Sequence, residues 1–165
     1  MTVLKPLAAL LLVAGLAACS TDVEDTDATA GATPGYGAGQ FDPASVEYFN
    51  QSIGDRVYFA TDSSLLDAAS QATLRAQADW LRQNAARTAT IEGHADERGT
   101  REYNLALGAR RAAAARSFLI GEGIDASRLR MVTYGKERPE ALCSNDSCWS
   151  QNRRSVTVIA GGPIS

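Results

Sequence analysis

Thr90 to Ala115 reads TIEGHADERGTREYNLALGARRAAAA, and the change of period inside this stretch decides the fold. Up to Gly93 it alternates like a half-buried strand, with Ala89 and Ile91 set against Thr88, Thr90 and Glu92. His94 to Thr100 is polar and rich in turn residues, hence a loop, and Arg101 to Glu122 is an alanine-rich helix that stops at Gly123. Strands separated by helices of this length call for crossover connections. Working outward, Leu129–Tyr134 and Ser155–Ala160 alternate again and are the last two strands. Upstream, Asp67 caps a helix running to Asn84, with Leu74, Ala78 and Leu81 on one face, and Arg56–Phe59 is a short strand. Pro43–Ile53 reads as a short helix opened by Asp42 and closed at Gly54, with Pro43 at the first position, where its missing N–H costs nothing. The order α-β-α-β-α-β-β predicts an α+β domain with a mixed four-stranded sheet and its helices packed on one side.

Gly108 falls inside the expected third helix. Glycine costs ~1 kcal/mol relative to alanine inside a helix but is acceptable at an N-cap, so a break near Leu107–Gly108 is expected. Such a break places Arg111 in the first turn of a second segment, where free N–H groups and the dipole favour an anion.

In the chain of 165 residues, Met1 to Lys5 carries a single positive side chain and an uncharged, mostly apolar run follows from Pro6 to Ala18. This reads as a secretory signal, shorter than the ~20 apolar residues a spanning helix needs. Leu16-Ala17-Ala18-Cys19 resembles the lipobox of bacterial lipoproteins, which implies that Cys19 is the first mature residue and carries diacylglycerol and an N-acyl chain such as palmitate. An ordinary cleaved signal with an incidental cysteine is the alternative. Acyl chains contribute ~0.8 kcal/mol per buried CH₂, and more than one chain makes a stable anchor. Ser20 lacks the aspartate that retains lipoproteins at the inner membrane in such families, so the outer membrane is the expected site of the anchor, with the domain facing the periplasm. Residues 1–18 are thus a signal peptide, 19–41 a lipidated cysteine and tether, and 42–165 the domain. The tether, rich in Gly, Ala, Thr and acids, has too little apolar surface to offset its ordering entropy. The formal charge of −3 becomes −4 once Lys5 is removed, leaving 15 bases against 19 acids. No global positive field draws the molecule to nucleic acid, and no nucleic-acid partner is expected.

The wording EGHADERGT at 92–100, followed by EYN, LG and RRA, strongly resembles the OmpA-like peptidoglycan-binding domain, in particular its peptidoglycan-associated lipoprotein branch. The resemblance extends from Arg56 to Ala160, through VYF at 57–59, YGKERP at 134–139 and NRRSV at 152–156. It implies a protein that binds the stem peptide of peptidoglycan at diaminopimelate, whose side chain ends in an ammonium and a carboxylate on one carbon. By position in the motif, the ligand aspartate falls on Asp96 and the ligand arginine on Arg111. The first would accept from the ammonium and the second match the carboxylate with its planar fork. Asp96 also has a plain reading, as turn chemistry in a glycine-bounded loop. Arg154 of the NRR segment is a further lining candidate. Phe59 and Asp62 fall where the family's first strand leaves the sheet beside the ligand, and Asn104 and Leu105 follow the loop-to-helix segment, Asn104 as a brace for the loop. The branch further implies an outer-membrane tether within the Tol-Pal system, serving envelope integrity and constriction at division, with the periplasmic propeller protein TolB as second partner. The alternative is an OmpA-like lipoprotein that grips peptidoglycan without Tol contact.

Glu92, His94 and Asp96 superficially resemble metal-ligand spacing. A hydrolytic zinc site usually needs two or three imidazoles and the chain has one His; GxSxG, HExxH and P-loop motifs are absent from it. An enzyme, a cofactor and a metal are not expected. Cys143 and Cys148 bound the short loop CSNDSC and, in an exported protein, are expected to form a disulfide that staples the loop before the NRR segment. Redox sensing is the sharper alternative, and the pair is a departure from the family pattern.

Overall fold

The computed structural model describes residues 41–160. The expected signal peptide, the cysteine expected to be lipidated and nearly all of the expected tether lie outside the described residues. Ser45, rather than Asp42, caps the first helix: its Oγ accepts from Tyr48 N at 3.0 Å, opening α1 (Val46–Tyr48), which runs on as a π-turn through Phe49–Gly54. Asp42 instead ties down the turn before it, accepting from Ala44 N. β1 (Arg56–Tyr58) follows, then α2 (Ala68–Gln83), capped by Asp67 as expected through a 2.7 Å bond from Ser70 N. β2 (Thr88–His94) leads through the loop to α3 (Arg101–Gly121), whose N-cap Thr100 accepts from Tyr103 N. β3 (Leu129–Gly135), α4 (Asp146–Asn152) and β4 (Arg154–Ala160) complete the domain.

The strands form one sheet in the order β1-β4-β2-β3, with β2 and β3 parallel and the other pairs antiparallel. The mixed four-stranded α+β fold is therefore present. Leu74, Ala78 and Leu81 of α2 and Ala112, Ala115 and Leu119 of α3 share one cluster with Val57, Ala89, Ile91 and Leu129 of the strands, so both long helices cover the same face.

Two further expectations are corrected. The helix through Gly108 is unbroken from Arg101 to Gly121. The glycine is there for proximity: a Cβ at Gly108 would stand 2.8 Å from the Gly93 carbonyl oxygen and 2.5 Å from Thr133 Oγ1. Gly93 faces it with equally little room, its own Cβ direction aimed at the Gly108 backbone. Gly135 completes the contact, touching the backbone of Asn104 and Leu105. Helix and sheet thus approach more closely than any side chain permits. Second, α4 lies between the last two strands. It is a short helix without an apolar period, capped by Asn145 Oδ1 on Ser147 N at 3.0 Å, and its Cys148 and Asn152 are buried.

Candidate functional site

The Gly93–Gly108 contact brings the end of β2 against the middle of α3, and this crossing assembles the site without any helix break. Arg111, one turn beyond Gly108, is fully buried, and its fork bridges two segments, the end of β2 and the Ala60–Ser63 turn. Nη1 donates to His94 O at 2.9 Å, Nε to Ser63 O at 2.8 Å and Nη2 to Ala60 O at 3.2 Å, with the Phe59 ring 5.3 Å from the guanidinium carbon. Burial lowers the Arg111 guanidinium to about 10, the charge of Asp96 acting against this, so it stays protonated at neutral pH.

Asp96, two residues past β2, is 8% exposed. Its Oδ1 accepts from the Arg98 backbone N at 3.1 Å and Nε at 3.2 Å, and its Oδ2 from Arg98 Nη2 at 2.7 Å. Arg153 Nη1 lies 3.5 Å from the same Oδ2. Burial by itself would raise this carboxyl; the hydrogen bonds and charge of Arg98, joined by Arg153, outweigh it and hold it below its ordinary value of 3.8. The loop carrying Asp96 is fixed from beneath: Asn104 Nδ2 donates to Arg98 O at 2.7 Å, and Lys136 Nζ donates to the carbonyls of Glu97 and Gly99. Asn104 is thus the brace the sequence suggested. Asp62, in the left-handed region at φ 54°, accepts from the Tyr103 hydroxyl.

Asp62, Asp96 and Asn104 line one cavity of about 350 Å³ together with Thr61, Arg98, Gly99, Tyr103 and Leu107. Phe59 and Arg111 are not part of its lining; the Phe59 ring packs against the Arg111 guanidinium instead. Leu105 faces β3 through its carbonyl, which accepts from Thr133 Oγ1 at 3.0 Å. Arg154 stands elsewhere, 3.3 Å from Glu140 Oε2; of the two consecutive arginines it is Arg153 that reaches Asp96. The sequence reading also passed over Arg98, Tyr103 and Lys136. A larger cavity, about 460 Å³, is lined by Tyr58, Phe59, Ala60, Asp67, Ser150 and Gln151; its one charged group already caps α2.

His94 Nε2 is 3.5 Å from Glu92, whereas Asp96 turns to the arginines. Among the described residues no group of three or more His, Cys, Asp or Glu is placed to hold a metal ion. The buried His94 is lowered to about 4, first by burial and then by the charges of Arg154 and Arg138, and is a neutral ring at pH 7. Cys143 and Cys148 are bonded, with Cα atoms 5.5 Å apart.

This fold, with its acidic loop crossing over a glycine-packed helix, is that of a known class: the OmpA family model matches residues 58–153, and the chain belongs to the OmpA family. Within that class, it is 52% identical over 159 residues to a protein of Mesorhizobium japonicum named "Peptidoglycan-associated lipoprotein", covering 96% of this chain and 92% of that one. A Brucella abortus protein of the same name is 57% identical over 127 residues, 77% of this chain and 76% of its own. Among solved structures, the peptidoglycan-associated lipoprotein from Burkholderia pseudomallei superposes with a TM-score of 0.67 at 39% identity, over 72% of this chain and all of that one.

Proposed function

We propose that this protein is an outer-membrane lipoprotein that holds peptidoglycan non-covalently at the diaminopimelate of its stem peptides. Acyl chains on Cys19 sit in the membrane, residues 19–41 span the gap, and the domain from residue 42 grips the wall, facing the periplasm. The observation that carries this reading is Asp96: an ionised, nearly buried carboxylate opening onto a cavity that also holds an exposed guanidinium. The relatives' shared name supports peptidoglycan as what is bound.

The ligand's ammonium displaces Arg98 from Asp96, because both are charge-assisted donors competing for one acceptor. Its carboxylate is then held by Arg111, a buried cation that joins the cavity's lining only when the turn beside it moves. Three of that residue's five N–H groups serve backbone carbonyls, so the Ala60–Ser63 turn, whose oxygens take two of them, shifts as the carboxylate arrives. Asp62, Phe59 and Asn104 support the walls. As part of the Tol-Pal system the protein also binds the propeller protein TolB and serves envelope integrity and constriction at division.

Sedimentation with purified diaminopimelate-containing sacculi tests the ligand. Asp96→Ala is expected to remain in the supernatant with an unchanged circular-dichroism spectrum. Normal sedimentation of that variant refutes the site. A pull-down with TolB tests the second contact.

A further inference from the structure

The ring closed by Cys143 and Cys148 lies against the loop that carries Asp96. Trp149, the residue after Cys148, donates its indole N–H to Glu97 Oε1 at 3.0 Å, and Ser144 inside the ring hydrogen-bonds the same carboxylate, which is held below its ordinary value by these two bonds. The Arg98 guanidinium carbon sits 4.2 Å from the centre of the Trp149 ring. Asp146, also in the ring, is 3.5 Å from Arg153 Nη1, which in turn is 3.5 Å from Asp96. Three consecutive loop residues, Asp96, Glu97 and Arg98, are therefore tied to the ring or to the helix it opens. At the far end of α4, Asn152 is fixed by bonds to the backbone of Glu140 and Ala141, so the segment is held at both ends.

We infer that the Cys143–Cys148 ring is a redox-sensitive clasp on the binding loop. This rests on the reading of Asp96 as the ligand's carboxylate. Arg98 is shared between two resting places, the Asp96 carboxylate and the Trp149 face, and stacking on the indole lets it give up Asp96 to an incoming ammonium without becoming unpaired. Glu97 and Trp149 are positioning residues: they fix where that indole stands and do not themselves take the ligand. A dithiol reductant delivers two electrons and two protons to the Sγ–Sγ bond, leaving thiols on Cys143 and Cys148 and closing to its own cyclic disulfide. With the ring open, the first turn of α4 loses its tie, Trp149 leaves Glu97, and Arg98 has only Asp96 to pair with, where it competes with the ligand.

The test uses the full mature protein in detergent, with purified diaminopimelate-containing sacculi as the probe. Four samples are compared: oxidised, reduced with dithiothreitol, the double variant Cys143→Ser/Cys148→Ser, and Trp149→Phe, which keeps the disulfide and the ring face but lacks the N–H. Opening the ring is expected to weaken binding about tenfold, equivalent to about 1.4 kcal/mol, and Trp149→Phe by a smaller factor. In ¹⁵N spectra without ligand, reduction is expected to shift the Trp149 indole N–H and the amides of residues 96–99. If the oxidised protein binds and the reduced protein and Trp149→Phe bind equally well, the clasp is overturned while the ligand reading stands. If the oxidised protein does not bind sacculi, the ligand reading falls and the spectra alone decide: shifted amides support the clasp, unmoved amides overturn it.

Discussion

Replacing Gly108 by alanine sets two physical effects against each other with opposite signs. In a helix interior alanine is favoured over glycine by ~1 kcal/mol, so propensity alone predicts a more stable protein. The structure predicts the reverse. The new Cβ would lie 2.8 Å from Gly93 O, a backbone atom of β2, and 2.5 Å from Thr133 Oγ1. Thr133 cannot rotate away freely, because its hydroxyl donates to Leu105 O at 3.0 Å and accepts from Gly135 N at 3.2 Å. Overpacking costs ~1–3 kcal/mol and a lost hydrogen bond about 1 more, so the net after the propensity gain is a loss of about 2 kcal/mol. With a urea m-value of ~2 kcal/mol/M for a domain of this size, the unfolding midpoint should fall by about 1 M. Gly121→Ala is the control, since nothing stands within 4 Å of its added Cβ, and its midpoint should hold or rise slightly. A Gly108→Ala midpoint at or above that of the parent protein would refute the close-approach explanation and restore the case for a flexible joint.

Three further outcomes follow from the site. His94 is neutral in the fold down to about 4, whereas the unfolded ring takes up a proton near 6.5. The unfolded state therefore binds more protons between these values, and stability should decline as pH falls from 6.5 towards 4, a slope that His94→Gln should flatten in urea titrations. Arg111→Lys keeps the charge but cannot bridge the carbonyls of Ala60, Ser63 and His94; at about 1 kcal/mol per bond lost, stability should drop by ~2–3 kcal/mol in urea titrations. Arg98→Ala removes the guanidinium that does most to hold the Asp96 carboxyl low and leaves the backbone N–H and Arg153, so a ¹³C NMR titration should find it higher than in the parent protein, and an unmoved value would show that the Arg98 side chain is not its partner in solution.

The elements were legible where one local rule governed them. The period-2 pattern at 88–93, the Asp67 cap and the α2 stripe of Leu74, Ala78 and Leu81 all depend on near neighbours in the chain and reappear in the structure. The first helix begins later than Asp42 and Pro43 suggest because Ser45 competes with Asp42 for the cap and wins. Helix α4 was invisible because seven residues carry no period, and it is held by a disulfide, an asparagine cap and Asn152. The two arginines could be told apart only in the structure, because Val158 is exposed and the polar Ser155 and Thr157 are buried, the reverse of what apolar alternation suggests. Thr157 Oγ1 donates to Gln77 of α2, and alternation sets Arg153 and Arg154 on opposite sides.

What the sequence by itself determined is the set of parts: the strand, loop and helix around the EGHADERGT run, the resemblance they carry, and the charged groups available for binding. What only the tertiary structure decided is which of those groups meet. Gly93 and Gly108 are far apart in the chain, and either reads locally as a weak point. Packed together they let helix and sheet close to backbone contact, set Arg111 beneath the end of β2 and bring Arg98, Arg153 and Asp96 into one cluster. Propensity is a property of each residue and its neighbours; the absence of a Cβ becomes a packing force only once a second chain segment arrives to use the space.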